Sequence, residues 1–350
     1  MKINFVCHEL SGKGGIETVM VKVLNYLCQD NDVTLTLTNI PEQKKWLEEL
    51  NPAIKIKVYT NSSKIEKILF FIKQFMFSDD DMCVVLGANL LKLASKIKGA
   101  FRKKYVLVSW IHFSLFEQEM FNPRNILYAE KHLAISSKIK SQLLSLGVNE
   151  EDISLIYNPV EKVNLKTYIE DNNNFRLLYI GRIMFDGQKN LKDLILGISK
   201  VCSEKKIVVD MYGTGKDLDK CQKYTEKLGV KDNFIWHGWK ENPWEDIYFK
   251  PEALILTSKY EGLPMVMLEA ETRGIPCITS KFEGYSDVIE DGKNGYSYEV
   301  GNIDQLVFNI EQISKNNIER KDCVNSVLPF FDENYLNNLK IVLSDFFRER

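Results

Sequence analysis

The feature that most restricts how this chain folds is a repeated alternation of short apolar runs with amphipathic helical segments. Apolar runs at 3–7, 33–38, 83–87 and 105–110 are typical of buried strands, and 16–27 has the period of a helix. Strands separated by helices predict a parallel sheet that is covered on both faces. Later in the chain the alternation restarts, with strands predicted at 175–181, 206–212, 233–237, 253–257 and 276–279.

A polar stretch interrupts this alternation once. It begins at Asn158-Pro159-Val160 and continues to residue 174, and we interpret it as a linker. A chain of 350 residues usually forms about two domains. We therefore expect two Rossmann-like, doubly wound α/β domains, at 1–158 and 159–333. Ligands of such sheets lie at the carboxyl ends of the strands, and a shared substrate would lie in a central cleft that both domains face.

Composition excludes several classes of protein. Apolar residues make up 45% of the chain and charged residues 27%, which is typical of a globular protein and not of a disordered one. The net charge of -2 gives no indication of nucleic-acid binding. No run of about 18 apolar residues and no secretory signal is found, so we expect a cytoplasmic protein. Its seven cysteines form no C-x-x-C pair, which favours reduced thiols.

The most informative stretch is 258–270, with the sequence SKYEGLPMVMLEA. The pattern predicts Pro264 in the first turn of a helix that runs to about Arg273, and the N-terminus of a helix is a site where a phosphate can bind. Glu261 and Glu269 bracket this terminus. Their separation spans roughly 10 to 12 Å, about the reach from the hexose to the ribose of a nucleotide sugar. Two ordinary solvated glutamates are the alternative.

A glycine-rich loop, Ser11-Gly12-Lys13-Gly14-Gly15, lies between the first strand and the first helix. Gly14 and Gly15 allow the backbone to approach an anion closely, and the following helix adds its dipole. The loop is not a Walker A motif, because no Ser or Thr follows its lysine. It is not a dinucleotide fingerprint either, because Glu17 takes the place of the last glycine. A plain flexible turn is the alternative.

Two cations lie at strand and helix boundaries in the second half of the chain. Gly181-Arg182 ends a strand, and Lys189-Asn190 opens a helix with Asn190 as the predicted N-cap. Arg182 would hold a diphosphate bidentately and Lys189 would hold it as a point charge, which removes any need for a metal. Ordinary surface salt bridges are the alternative.

Other candidate positions carry less information. His112 follows the strand that ends at Trp110, again at a carboxyl end, and a structural histidine is the alternative. Gly213, in a Gly-Thr-Gly turn after another strand, resembles half of a dinucleotide fingerprint. The acidic triplet 79–81 precedes a strand instead of following one, so we interpret it as a solvated turn and not as a metal site.

Segments 65–77 and 91–104 are rich in both lysine and apolar residues. As basic amphipathic elements they could lie on an anionic membrane. Core helices with solvated basic faces are the alternative. Peripheral contact with the inner face of the plasma membrane therefore stays open.

Together these motifs resemble family 4 of the glycosyltransferases, which has the GT-B fold. The resemblance covers nearly the whole chain in order. Its Glu-x7-Glu element with upstream Arg and Lys is fairly specific, whereas the glycine loop alone is not. The residues that carry it are Gly14 to Thr18, His112, Asn158 to Val160, Gly181, Arg182, Lys189, Asn190, Gly213, Gly215, Glu261 to Pro264 and Glu269.

The resemblance implies a retaining, metal-independent transfer from a UDP-sugar, without a cofactor. Arg182 and Lys189 would hold the diphosphate. Glu269 would bind the ribose hydroxyls, while Glu261 and His112 would contact the donor sugar. The further donor contacts that it implies are Gly14, Gly15, Gly213, Leu263, Pro264 and Met265.

The same resemblance implies an acceptor-side first domain, with the final helix at about 334–350 packed back on it, and a donor-binding second domain. The motifs look most like bacterial enzymes that extend lipopolysaccharide cores or capsular polysaccharide, the lipopolysaccharide 1,6-galactosyltransferases among them. UDP-galactose is therefore the first donor expected, then UDP-glucose or UDP-N-acetylglucosamine, with a glycan or lipid-linked acceptor. Alternatives are a UDP-sugar epimerase of the same fold and a non-catalytic partner subunit.

Overall fold

A computed structural model describes the chain at residues 1–7, 10, 12, 15–60, 63–112, 114–116, 121–201, 206–316 and 318–349. The chain divides into two compact units. The first comprises Met1–Pro159 with Asp332–Arg350, and the second comprises Val160–Phe331. Each unit contains one parallel sheet with helices, so the predicted α/β class is confirmed.

The sheet of the first unit is doubly wound. Its strands are β1 (Lys2–Cys7), β2 (Asp32–Leu37), β3 (Lys55–Val58), β4 (Met82–Leu86), β5 (Val106–Trp110), β6 (Lys131–Ala134) and β7 (Ile153–Leu155). Their order is β3-β2-β1-β4-β5-β6-β7, so the direction of winding reverses at β1. The helices are α1 (Gly15–Leu27), α2 (Lys45–Glu48), α3 (Lys64–Met76), α4 (Ala88–Ala100), α5 (Ser137–Ser145) and α11 (Asp332–Arg348).

Helix α11 packs against α1. Its buried residues recur every three or four positions, which places them on one face of the helix. They are Tyr335, Leu339, Leu343 and Phe346. The Lys22 Nζ of α1 lies 2.7 Å from Asp332 Oδ2. The Tyr26 hydroxyl donates a hydrogen bond to Asn337 Oδ1 at 2.6 Å. Segments from both ends of the chain therefore belong to one unit.

The second unit repeats the doubly wound topology. Its strands are β8 (Asn174–Ile180), β9 (Lys206–Tyr212), β10 (Phe234–Gly238), β11 (Ala253–Leu256), β12 (Cys277–Ser280) and β13 (Gly295–Tyr298). They are ordered β10-β9-β8-β11-β12-β13, with the reversal at β8. The helices are α6 (Leu191–Lys200), α7 (Leu218–Lys227), α8 (Met265–Glu271), α9 (Ile303–Lys315) and α10 (Arg320–Ser326).

The polar stretch that we interpreted as a linker is packed against the second unit. The Ile169 N–H donates to the Tyr248 carbonyl at 2.9 Å. The Asp171 carboxylate accepts a hydrogen bond from Arg176 Nε at 2.7 Å. The stretch therefore covers the start of β8 and is not a free connection.

Two further details differ from the sequence predictions. Asn190 is the N-cap residue of α6, as predicted, but its φ of 47° and ψ of 48° are left-handed and its side chain makes no capping hydrogen bond. Strand β13 and helices α9 and α10 were not predicted. The first of these is a short edge strand with the sequence GYSY, which lacks the apolar run that marks the central strands.

A buried carboxyl group lies on α8. Glu271 is fully buried, and its Oε1 has no hydrogen-bond partner in the part of the chain that the structure describes. The thiols of Cys277 and Cys323 surround it, and the Ser326 hydroxyl lies 3.4 Å from Oε2. Burial raises the pKa of Glu271 well above its ordinary value, so folding favours the protonated form of this carboxyl group.

We predict that Glu271→Gln is more stable than wild type by an amount that increases as the pH rises. Above the ordinary pKa of 4.5 the unfolded chain releases this proton, whereas the folded chain retains it. Wild type therefore loses about 1.4 kcal/mol of stability per pH unit from this group until the folded pKa is reached, and glutamine does not. Urea titrations of both proteins across this range test the prediction. A difference in unfolding free energy between the two proteins that does not change with pH would contradict a raised pKa of Glu271.

Candidate functional site

The carboxyl ends of β8, β9 and β11 lie side by side at the same end of the second sheet. β8 pairs in parallel with both β9 and β11. The winding reverses at this point, which is where open α/β sheets bind their ligands. The loops that follow these strands are 181–190, 213–217 and 257–264. Predicted site residues on these loops are Arg182, Lys189, Gly213, Glu261, Leu263 and Pro264.

The first two of these loops touch through their backbones. Gly213 has a φ of +143°, and a Cβ on it would collide with the carbonyl oxygen of Gly181. A Cβ on Gly215 would collide with the carbonyl of Ile183, whose N–H donates to the Thr214 carbonyl at 3.0 Å. Only glycine allows this approach. The Gly-Thr-Gly turn therefore serves to pack the two loops together.

Lys189 and Glu261 form an ion pair between the first and third loops. The Lys189 Nζ lies 2.6 Å from Glu261 Oε1, and the side chains are 17% and 9% exposed, respectively. The other carboxylate oxygen accepts a hydrogen bond from Gln188 Nε2 at 3.2 Å. Glu261 is thus held by two donors, and the alternative of a solvated helix residue is wrong for it.

Hydrogen bonds to the backbone fix the same two loops. Gln188 Nε2 also donates to the Tyr260 carbonyl at 3.1 Å. In return the Lys259 N–H donates to the Gln188 carbonyl at 2.8 Å, and the Thr257 hydroxyl donates to the Lys189 carbonyl at 2.9 Å. Sequence reasoning missed Gln188. Its position directly before a predicted cation was the available signal.

Glu269 belongs to a separate cluster on α8. Its Oε2 accepts a hydrogen bond from the indole Nε1 of Trp244 at 2.8 Å. The Arg273 guanidinium stacks on that indole, 4.4 Å from the ring centroid, and its Nη1 donates to the main-chain carbonyl of Glu269 at 2.8 Å. Within the described residues, the carboxylate oxygen Oε1 accepts no hydrogen bond. Sequence reasoning missed Trp244 and Arg273, since no local pattern marks either one.

Arg182 is exposed directly after β8. Its carbonyl accepts a hydrogen bond from the Tyr179 hydroxyl at 2.8 Å, which fixes the backbone next to Gly181. Its guanidinium forms no ion pair with any residue that the structure describes. The predicted alternative of a surface salt bridge therefore does not apply to Arg182, whereas Lys189 is already paired.

Helix α8 begins one residue later than predicted. Pro264 has a φ of −70° and a ψ of 119°, so it is an extended N-cap residue and the first helical residue is Met265. The helix ends at Glu271 instead of Arg273. Leu263 is buried just before the turn. This short helix places Glu269 and Glu271 close to its end.

His112 lies in the first unit, two residues beyond β5. It is 8% exposed, and its ring centroid lies 4.7 Å from that of Trp110. Burial lowers the pKa of His112 to about 3, so the imidazole is neutral. Its Nε2 has no hydrogen-bond partner among the described residues. A neutral imidazole can exchange a hydrogen bond with a ligand but supplies no charge.

The glycine-rich loop is described in part. Gly14 lies outside the described residues, while Gly15 is the first residue of α1. The Gly12 N–H donates to Glu17 Oε1 at 2.6 Å. Glu17, which replaces the last glycine of a dinucleotide fingerprint, therefore binds the loop backbone.

The structure thus brings some predicted residues into contact and not others. Lys189 and Glu261 touch directly, and the loop of Gly213 touches that of Arg182. Glu269, on α8, is held instead by the indole of Trp244. His112 and Gly15 belong to the first unit.

Comparison with known proteins identifies relatives along the whole chain. The profile of the family "Glycosyl transferases group 1" matches residues 162–327. The lipopolysaccharide 1,6-galactosyltransferase of Salmonella typhimurium is 33% identical, covering 97% of each chain. That of Escherichia coli K12 is 32% identical over 100% of both chains. A solved structure of the lipopolysaccharide outer core galactosyltransferase WaaB in its apo form superposes with a TM-score of 0.85, at 32% identity and 99% coverage of each chain.

We predict that Lys189 and Glu261 stabilise the second unit as a coupled pair. Lys189→Met leaves a largely buried carboxylate without its cation, and Glu261→Gln leaves the ammonium without its anion. Each should lower the free energy of unfolding by about 1–3 kcal/mol, and the double variant should lose clearly less than the sum. Urea denaturation of the four proteins measures the coupling.

The exposed pair Lys231–Glu226, with an N–O distance of 2.7 Å, provides the control cycle. Because solvent screens these two charges, their substitutions should be nearly additive. Additive losses at Lys189 and Glu261 as well would contradict a stabilising pair.

Proposed function

This chain belongs to the group 1 family of glycosyl transferases and has their GT-B fold, and on this basis we propose that it transfers a hexose from a UDP-sugar to a saccharide of the bacterial cell envelope. UDP-galactose is the first donor proposed, and a lipopolysaccharide saccharide the first acceptor. The two lipopolysaccharide 1,6-galactosyltransferases that align over nearly their full length support both choices. UDP-glucose and UDP-N-acetylglucosamine are the next donors to consider.

The observation that carries this proposal is the Lys189–Glu261 ion pair, together with the exposed Arg182 on the loop that carries Lys189. Each oxygen of the Glu261 carboxylate already has one donor, and each retains a lone pair that can accept a sugar hydroxyl. The Lys189 ammonium keeps two further N–H donors for a phosphate oxygen. The guanidinium of Arg182 can bind a diphosphate bidentately. Loop 181–190 thereby offers contacts for the diphosphate, and loop 257–264, which is paired to it through Glu261, offers a contact for the sugar.

The remaining contacts follow the same assignment. Glu269 would accept ribose hydroxyls at Oε1 while Trp244 holds Oε2. Gly213 would let the backbone approach the nucleotide closely. His112 would exchange a neutral hydrogen bond with the donor sugar. The further proposed donor contacts are Gly14, Gly15, Leu263, Pro264 and Met265.

We assign these residues to a transfer with retention of configuration. The bond between the anomeric carbon and the diphosphate oxygen breaks, and a bond to the acceptor oxygen forms on the same face. The acceptor proton passes to the departing diphosphate. Arg182 and Lys189 stabilise the negative charge that develops on the leaving group, which is the usual source of a large rate enhancement. Because two cations balance that charge, the proposed reaction requires no metal.

We predict that Arg182→Ala and Glu269→Ala each weaken UDP binding at least about tenfold in EDTA, because each removes a charged partner of the nucleotide. Isothermal titration with UDP measures this. Loss of Glu269 should also abolish any preference for UDP over its 2′,3′-dideoxy analogue. Lys200→Ala is the control, since this exposed lysine of α6 pairs with Asp304.

A further variant, Glu261→Gln, identifies the donor. Slow release of UDP from one UDP-hexose in EDTA, without an acceptor, should be found for wild type and lost in Glu261→Gln. Unchanged UDP affinity in Arg182→Ala and Glu269→Ala would overturn the proposed site. UDP binding by wild type that requires a divalent metal would overturn it as well.

We also propose that the enzyme works at the inner face of the plasma membrane, with α3 as the contact. The buried side of this helix includes Phe71 and Phe75. Its other side exposes apolar residues next to lysines, an arrangement that suits an anionic bilayer surface. Those residues are Ile65 (72% exposed), Ile68 (52%), Leu69 (49%) and, just past the helix end, Phe77 (73%). No helix within the described ranges is long and apolar enough to cross a bilayer.

We predict that the protein cosediments with phosphatidylglycerol vesicles and that Ile68→Ser with Leu69→Ser reduces the bound fraction several-fold. Insertion of these side chains provides the apolar part of the binding free energy. Ile341→Ser on α11 is the matched control, because Ile341 is equally exposed in the same unit, at 60%. Equal sedimentation of all three proteins would exclude α3 as the contact.

A further inference from the structure

A groove in the second unit is lined by lysines and two aromatic rings. It has a volume of about 710 Å³ and lies between the start of α6 and one face of α7. Phe185 and Tyr224 form its wall, with ring centroids 4.9 Å apart and planes at 84°. The lysines are Lys192, Lys216, Lys220, Lys223 and Lys227, and all five side chains are exposed.

Three of these lysines project from α7 at helical spacing. Lys220, Lys223 and Lys227 are separated by three and four residues, which places them along one side of the helix. Lys220 lies above the Phe185 ring, 4.2 Å from its centroid. The ammonium groups therefore line the groove next to its aromatic wall.

Few carboxylates oppose this charge. Asp219 is the acidic residue in the lining. Asp186 lies 3.1 Å from Lys220 and 4.0 Å from Lys192, so it serves two lysines at once. The other three lysines have no carboxylate within ion-pair distance among the described residues. They are Lys216, Lys223 and Lys227. Glu226, which pairs with Lys231, acts on one of them, Lys223, from further away. The groove therefore has excess positive charge that a ligand can neutralise.

The lining of the groove favours a charged, soluble molecule over a membrane surface. None of the large, exposed apolar side chains in the described chain lines it, so it offers nothing that would insert into a bilayer. Half-buried Tyr224 can instead pack against the apolar face of a sugar ring.

The groove shares a loop with the proposed donor site. Loop 181–190 carries Arg182 and Lys189, and it also contributes Phe185. The Phe185 N–H donates to Asp217 Oδ2 at 3.0 Å, which ties the loop to the start of α7. A ligand in the groove therefore contacts the element that holds both cations of the donor site.

We infer that this groove binds an anionic saccharide, with phosphate groups on the lysines and a sugar ring on Tyr224. The negative charge of the ligand follows from the lysines, while the choice of a saccharide rests on the proposed function. The groove would then select acceptor chains that carry phosphate.

Calorimetric titration of the full chain with a monophosphorylated pentamannoside, and with the same pentamannoside lacking phosphate, tests this inference. Wild type should bind the phosphorylated form at least about tenfold more tightly, and added salt should weaken that binding. The triple variant Lys216→Gln, Lys223→Gln, Lys227→Gln should lose the preference. A control triple variant at Lys200, Lys315 and Lys321, three exposed lysines elsewhere in this unit, should retain it.

Three outcomes would overturn the inference. They are equal binding of both saccharides, unchanged binding by the groove variant, and a groove variant whose one defect is lost sedimentation with phosphatidylglycerol vesicles. The last would indicate a membrane surface. UDP affinity, measured separately, distinguishes a failure of the proposed function from a failure of the groove inference. A groove variant with normal UDP affinity but no saccharide preference supports the groove, whereas wild type without UDP affinity refutes the proposed donor site alone.

Discussion

The second unit depends on a close backbone approach at the carboxyl ends of β8 and β9. Gly213 and Gly181 come so near that no side chain fits on residue 213. Any larger residue would push away loop 181–190, which also carries Lys189 and Gln188. These two side chains hold Glu261. The position of its carboxylate therefore depends on the lack of a Cβ at residue 213, which follows a strand two positions away in the sheet.

The two glutamates of the predicted site are held by different chemistry. Glu261 is fixed by an ammonium and an amide, so its charge is largely compensated before any ligand arrives. Glu269 is fixed by a neutral indole N–H. A ligand hydroxyl at Glu261 would therefore join an existing network, whereas one at Glu269 would meet a carboxylate oxygen without another partner. Both carboxylates are oriented in advance, which reduces the ordering that binding must impose.

Much of the fold could be predicted because strand and helix periods are local properties. The apolar run at 3–7 is β1 with one residue added, and the predicted cations at 182 and 189 lie at the strand and helix boundaries expected. The contacts within the site could not be predicted. Lys189 meets Glu261 across 72 residues, and Trp244 reaches Glu269 through a turn with no recurring pattern. Which residues form such pairs is determined by how one loop packs on another, and this packing has no signal in the local sequence.

The return of α11 to the first unit affects how the chain is made. Residues Val160–Phe331 lie between the first 159 residues and α11, so the whole second unit leaves the ribosome before that helix does. Until then the surface of α1 that packs against α11 lacks that helix. The unit that is synthesised first is therefore completed last, and the nascent chain must keep an apolar helix face accessible throughout translation of its second half.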